Sequence, residues 1–433
     1  MNDLKAISSK LESLLRAEGA ALYEYRLSVS EKRELNTEKS DFNLYRTIFD
    51  QRVSVTVIQD GKKGTASGND LSDDGLQKAV SDALAGAASS VADDANAIAE
   101  QQAPETFQTG CPEADMPRFY NCLQTMMDMI ARDYPKVSLL QVIADHTRSH
   151  TLYANSNGTR FVHDNGIYHV MLEMSGSDGT RNTGLDYTGL STHDLDTPLI
   201  RQGGIEQHLK DVEASLNPVS LTGKFEGTVI FTPDCLGNFL YMLASNYLMG
   251  SVIIDGTSQW LDKQDQQVAS GLVTLSLKAR DDRIAECEPF TGDGYRAEDV
   301  TVVDHGVLRS FLLNLYAANK TGRPVTRNTS FSVVMEAGET PLGDMIAQVD
   351  RGLIVGGFSG GEPGANGEFS GVAKNSFYIE NGRVVGAVTE TMINGNLEQV
   401  FRDVTAVSRE QVCDGSTVLP YMASRGIVIV SGK

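Results

Sequence analysis

The sequence predicts an α+β fold in three units, and three observations carry that prediction. At 433 residues the chain is longer than one hydrophobic core usually serves. Its 41 glycines and many alternating runs call for turns and β-structure. Segments with helical spacing recur between those runs. The expected order is an N-terminal two-layer α/β domain at 1–105, a middle α+β unit at 112–218 and a large, mainly antiparallel β domain at 222–433.

The elements follow from local pattern. Leu4, Ile7, Leu11, Leu14 and Leu15 form one apolar stripe, which predicts an opening helix. ALYEYRLSVSEKRELN and RVSVTVIQDGKKGTASG alternate as strands, with a turn at Asp60-Gly61. DLSDDGLQKAVSDALAGAASS has acidic caps and then an Ala-rich helical run. Residues 91–113 are polar and aperiodic and are expected to form a linker or exposed connection. A second helix is expected over 114–135. Strands follow, with hairpin signals at Asn157-Gly158 and Asn165-Gly166. The charged helix GGIEQHLKDVEASLN ends the middle unit near 217. From GKFEGTVIFTP onward the pattern is mainly β, broken by a helix at about 234–249, and no clean internal repeat is present.

Composition excludes several functions. The 37 basic and 57 acidic residues give a net charge of −20. Binding a polyanion needs clustered Lys and Arg, so neither nucleic acid nor an anionic membrane surface is an expected partner. No apolar run reaches the ~20 residues of a membrane span. The amphipathic N-terminus lacks the apolar core of a signal peptide. Five scattered cysteines, an odd number, fit reduced thiols in a cytoplasm better than a disulfide framework.

Isolated constellations carry little chemistry. His146 and His150 have a four-residue spacing that suits metal on a helix, but their segment reads as strand and turn, where hydrogen-bonded sheet histidines are the plainer expectation. GFSGG at 357–361 fits G-x-S-x-G around Ser359. A nucleophile elbow needs a following helix, however, and EPGANGEF has no helical character, so a flexible loop is expected. Ser370 and Lys374 stand four apart, one more than a Ser–Lys β-lactamase motif allows. No phosphate-binding G-x-x-x-x-G-K-[ST] and no H-E-x-x-H occur.

The C-terminal half is more specific. GEFSGVAKNSFYIENGRVVGAVTETMINGNL (367–397), VTVVDHGVLRSFLLNLYAANKTG (300–322), GTSQW and GTVIFTP occur in an order that resembles the TldD/PmbA (TldE) metalloprotease family, nearest the PmbA/TldE-type subunit. The resemblance implies a cytoplasmic two-subunit protease acting on extended or unfolded peptides, such as a peptide-antibiotic leader or a labile antitoxin. It implies a TldD-type partner that carries H-E-x-x-x-H and a distant Cys around zinc, with the Glu as general base. In this chain the metal helix falls on NFLYMLASNYLMG. There Tyr241 and Asn246 take the His positions, Met242 takes the Glu position, and Cys413 stands near the residual Cys position. A phenol titrating near 10 and an uncharged amide are poor zinc ligands, and a thioether cannot accept a proton. A small buried residue is the plainer reading of Cys413. Leu236, Phe239, Leu240, Leu243 and Tyr247 make a packing stripe on the same helix.

The resemblance therefore implies no catalytic residue and no metal in this chain, with zinc in a TldD-type partner. The alternatives are an independent hydrolase using His146, His150 or Cys413, and a stand-alone homodimeric peptide-binding scaffold. Extended substrates are expected along exposed strand edges, with Gly356, Gly357 and Ser359 of the loop 356–368 and Asn375, Phe377 and Ile379 of the strand 375–381 as groove residues. The family name also carries a link to DNA gyrase. A chain of this charge would make such a link indirect.

Overall fold

The computed structural model describes residues 3–328 and 330–432. Seven strands form the first sheet, in the spatial order Lys62–Gly68, Asp41–Gln59, Leu22–Glu38, Val137–Asn155, Arg160–Gly176. Beyond the last of these, Glu105–Gly110 pairs in parallel and Asp186–Thr192 antiparallel, one after the other. The ladder between 22–38 and 137–155 runs from Glu24↔Asn155 to Glu38↔Gln141. One continuous sheet thus crosses the division expected between 105 and 112.

Alternation fixes which face is covered. Tyr25, Leu27, Val53, Val55 and Val57 are buried under helices Leu4–Ala17 and Asp73–Ser89. Val142, Ala144, Val170 and Leu172 lie with helices Met116–Asp133 and Ile205–Ala214. Asp3 caps the first helix by accepting from the amides of Lys5 and Ala6. Its buried Ser8 meets the Tyr25 hydroxyl at 2.6 Å, so the one polar residue on that face is satisfied. The turn at Asp60-Gly61 has φ of 50° and 72° between Gln59 and Lys62, the backbone a two-residue type I′ hairpin requires.

Two expectations fail here for physical reasons. Asn165-Gly166 is no turn. It lies within strand 160–176, and a Cβ on Gly166 would come within 2.0 Å of the Cys111 carbonyl oxygen, so the glycine serves a close backbone crossing. Nor is 91–113 a free linker. Asp93 accepts from Lys320 at 2.7 Å and from the Tyr316 hydroxyl at 2.9 Å. Glu100 accepts from the Tyr295 hydroxyl at 2.7 Å and from Arg327 at 3.1 Å, and Glu105 from Arg296 at 2.8 Å. Its polarity supplies partners for cations and hydroxyls of the C-terminal unit, and 105–110 joins the sheet.

The C-terminal unit is a 13-stranded sheet system centred on Val418–Ser431 and Gly223–Phe231. Most of its pairs are antiparallel; 351–355 against 223–231 is parallel. Helix Pro233–Leu243 continues into a wide π turn, Ala244–Leu248, and packs on this sheet. Leu236, Phe239, Leu240, Leu243 and Tyr247 are all buried, as their spacing predicts.

Helix 73–89 lies directly on strand 62–68 at Gly64, where a Cβ would come within 2.0 Å of the Ala83 carbonyl oxygen. Gly64→Ala is therefore expected to destabilise the N-terminal unit by about 1–3 kcal/mol. Denaturant unfolding followed by far-UV circular dichroism checks this.

Candidate functional site

The site is built from helix 233–248 and the strands around it. Pro233 opens the helix, and the Thr232 side chain caps it by accepting from the Cys235 amide. Tyr247 stacks on Trp260 with ring centroids 4.9 Å apart, and Phe239 packs edge-on to Phe358 and Phe369. The opposite side carries Tyr241, Met242, Ser245 and Asn246, none of them buried. Tyr241 is 55% exposed and meets the Phe331 ring at 5.9 Å. Asn246 turns its amide back to the Met242 carbonyl at 3.1 Å. The wide turn contains Asn246 and ends on the Met249 amide bonding the Ala244 carbonyl at 2.9 Å, an i→i+5 closure. Beside it opens a cleft of about 440 Å³ lined by Met249, Leu277, Leu312 and Phe331.

These donors do not fit zinc. A phenol, a thioether and a self-bonded amide supply neither an imidazole nor a carboxylate. Cys413 ends strand Val404–Cys413 and donates its thiol to the Arg283 carbonyl at 2.9 Å. Burial pushes that thiol's pKa up, away from the thiolate a metal needs. Cys413 packs with Ile284, Val334 and Val418. Among the described residues no three His, Cys, Asp or Glu side chains converge on a possible ion. His146 is buried with Nε2 2.8 Å from the Cys111 carbonyl oxygen, and His150 Nδ1 lies 2.7 Å from Asp164. The two share strand 137–155, each with its own partner.

The expected groove residues separate into two groups. Gly357–Gly361 is a strand rather than a loop, paired with Glu368–Lys374. Ser359 faces Val372 across this exposed hairpin. Ser370 donates to Asn394 at 2.5 Å, so it forms no dyad with Lys374. Phe377 and Ile379 open onto no groove: Phe377 is 7% exposed, and Ile379 is fully buried beside Ile230, Met345 and Val349. They were candidates as part of an exposed strand edge, but strand 376–380 is covered on both faces. Gly356 allows a backbone crossing, since a Cβ there would come within 2.4 Å of the Asn375 carbonyl oxygen. Asn375, at φ 48°, reaches out of the C-terminal unit and donates to Asp186 at 2.6 Å.

That contact leads to a charge cluster invisible in the sequence. His208 Nδ1 lies 3.2 Å from Asp186 Oδ2, and its Nε2 lies 2.5 Å from Asp234 Oδ2. Burial opposes the imidazolium, but the two carboxylates outweigh it and raise the pKa to about 10. Burial also raises Asp211, one turn along the same helix, to about 6. Asp186 and His208 belong to the first sheet unit and Asp234 to the second, so the imidazolium joins them. No motif links a histidine to acids 22 and 26 residues away.

The cluster sets a pH dependence. A raised folded-state pKa on His208 means stability that is complete below about 6.5 and lost as pH rises through about 10. Replacing His208 by Gln leaves Asp186 buried without its cation. The expected cost is on the order of 2–3 kcal/mol, discounted because Asp234 is 48% exposed. Thermal unfolding from pH 7 to 10.5 checks both: the wild-type midpoint falls across this range, and H208Q starts lower and falls less.

Two family models match the chain, one described as PmbA/TldA metallopeptidase C-terminal domain over residues 222–431 and one as PmbA/TldA metallopeptidase domain 1 over residues 23–87. The chain is similar to the Metalloprotease PmbA homolog of Haemophilus influenzae, 26% identical over 400 residues that cover 87% of this chain and 86% of that one. Similarity to the Zinc metalloprotease TldD homolog of Saccharolobus solfataricus is 21% over 198 residues, 43% of this chain and 44% of that one. The fold is that of the crystal structure of TldE from Thermococcus kodakarensis, with a TM-score of 0.85 at 20% identity, covering 98% of this chain and 100% of that one. Matched at both ends by models of one family and carrying its fold throughout, the chain belongs to the PmbA/TldD metallopeptidase family.

Proposed function

We propose that this chain is a PmbA/TldE-type subunit, itself without catalytic chemistry, of a cytoplasmic peptidase assembly that acts on extended or unfolded peptides. A TldD-type homologue bearing zinc would supply the hydrolytic step. The observation that carries this reading is helix 233–248. Its buried side and wide turn are intact, while its outward side carries Tyr241, Met242 and Asn246. None of these can polarise a carbonyl or activate water in the way a metal centre does.

The role left to the chain is to wall a peptide channel. Backbone recognition at a strand edge tolerates many sequences, which suits unfolded substrates. The exposed hairpin 357–374 offers such a backbone, and the apolar cleft beside Phe331 could take a substrate side chain. Phe377 and Ile379 have no part in this surface, being buried.

Two measurements check the reading. A TldD-type homologue is expected to co-purify with this chain and to cleave an extended peptide at least about tenfold faster in its presence; cleavage indifferent to the chain contradicts the proposal. Met242→Leu, a volume-conserving change, is expected to leave the assembly's cleavage rate within about twofold. A loss of a hundredfold or more would give this helix a chemical role.

A further inference from the structure

Helices cover one face of the first sheet. The other face is polar where strands Leu22–Glu38, Asp41–Gln59 and Val137–Asn155 run side by side. Register places its residues. Arg26 stands opposite Ser54, and Ser28 opposite Arg52. On the far side Tyr153 faces Arg26 and Thr151 faces Ser28. Arg26, Ser28, Arg52 and Ser54 thus form a checkerboard, with guanidiniums on one diagonal and hydroxyls on the other. Directly opposed residues have Cβ atoms about 4.5–5.5 Å apart, and diagonal neighbours at about 7–8 Å are still within reach of long side chains. All six residues line one pocket of about 430 Å³, bordered by Gly292 of the C-terminal unit.

Two guanidiniums on a diagonal repel unless an anion lies between them. In a chain of 57 acidic and 37 basic residues a carboxylate is the default partner. Neither arginine has one among the described residues. Arg26 is held by other means: its guanidinium lies 5.2 Å from the centre of the Phe290 ring and donates to the Thr291 carbonyl at 3.5 Å. Arg52 is exposed. The nearby carboxyls are engaged elsewhere. Glu24, two residues before Arg26, accepts from the Tyr153 hydroxyl at 2.8 Å, and burial raises its pKa, which disfavours its charged form. Asp50, two residues before Arg52, accepts from the Gln51 amide at 2.9 Å. Asp293, on the bordering loop, accepts from the Leu315 amide at 2.7 Å. The hydroxyls of Ser28, Ser54 and Thr151 bond no other described residue. Cations and donors therefore converge on one space that supplies them with no acceptor.

We propose that this pocket binds a small phosphate, free or as a monoester, through Arg26 and Arg52, with Ser28, Ser54 and Thr151 as further donors. Charge and geometry favour phosphate over a carboxylate. A phosphate monoester at neutral pH carries about 1.5–2 negative charges, close to the two guanidiniums, and its three outer oxygens accept from several donors at once. The planar fork of a guanidinium suits such oxygens. One carboxylate has charge for only one arginine. The volume lies within the ~300–1,000 Å³ of small-molecule sites, so an organic remainder has room beside Tyr153. A net charge of −20 repels a long polyanion, which keeps the ligand small. Nothing in this site depends on the metal-bearing partner or the peptide channel proposed above.

Isothermal titration calorimetry of the full chain at constant ionic strength tests it, with inorganic phosphate, glycerol 3-phosphate and succinate as probes. Both phosphates are expected to bind, and succinate at least about tenfold more weakly. A tighter ester marks a phosphorylated small molecule as the ligand; equal affinity marks free phosphate. Arg52→Gln is expected to weaken both phosphates at least about tenfold through a lost charged hydrogen bond, with the circular dichroism spectrum and melting point kept because Arg52 is exposed. Arg26→Lys keeps the charge, loses the fork and is expected to weaken binding by a smaller factor. Arg383→Gln, at an exposed cation of the second sheet, is expected to leave affinity within about twofold. No binding of either phosphate up to about 10 mM, succinate bound as tightly as phosphate, or equal losses in Arg383→Gln and Arg52→Gln overturns the proposal.

Discussion

Burial of one side of helix 233–248 fixes the position of much of the C-terminal unit. Phe239 is the meeting point of Phe231, Phe358 and Phe369, and Tyr247 covers Trp260. Each fully buried side chain of that stripe is worth roughly 1.5–3 kcal/mol in transfer from water. The helix is therefore required by packing whatever its other side bears. Tyr241 and Asn246 on the outward side lie outside that buried cluster, so the architecture does not depend on which side chains stand there.

The two sheets are joined by charge. A protonated His208 between Asp186 and Asp234, and the strap at 93–105 with its contacts to Lys320, Arg327 and Arg296, bridge the first sheet to the second. Phe161, Tyr153 and Phe290 add a small aromatic contact across the same junction. Mostly polar junctions hold units in register without a large shared core, and the alkaline sensitivity expected of His208 follows from that choice.

What could be read from the sequence was mostly local. The stripe of the opening helix, the alternation of 22–38, the Asp60-Gly61 turn and the packing stripe at 236–247 all follow from spacing along the chain, and all are present. Misreadings arose where a residue's role depends on something distant. Gly166 makes room for Cys111, the acids of 91–105 meet cations 190 to 230 residues on, and Ile379 is buried because a second layer covers it. The glycines of 357–361 read as a loop because Gly360 allows Gly371 to approach, a pairing no local pattern records. Of the candidate site, the helix and its buried side were legible from the spacing of its apolar residues. The His208 cluster was not, since its members meet only in three dimensions.

The account rests on the donor chemistry of one helix side, and metal stoichiometry tests that most directly. Elemental analysis of the purified chain is expected to give less than about a tenth of an equivalent of zinc. The variant Tyr241→His/Met242→Glu/Asn246→His is expected to take up substantially more under the same conditions, because imidazoles and a carboxylate replace groups that bind zinc poorly. Close to one equivalent of tightly held zinc in the wild-type chain, lost on Cys413→Ala, would contradict it.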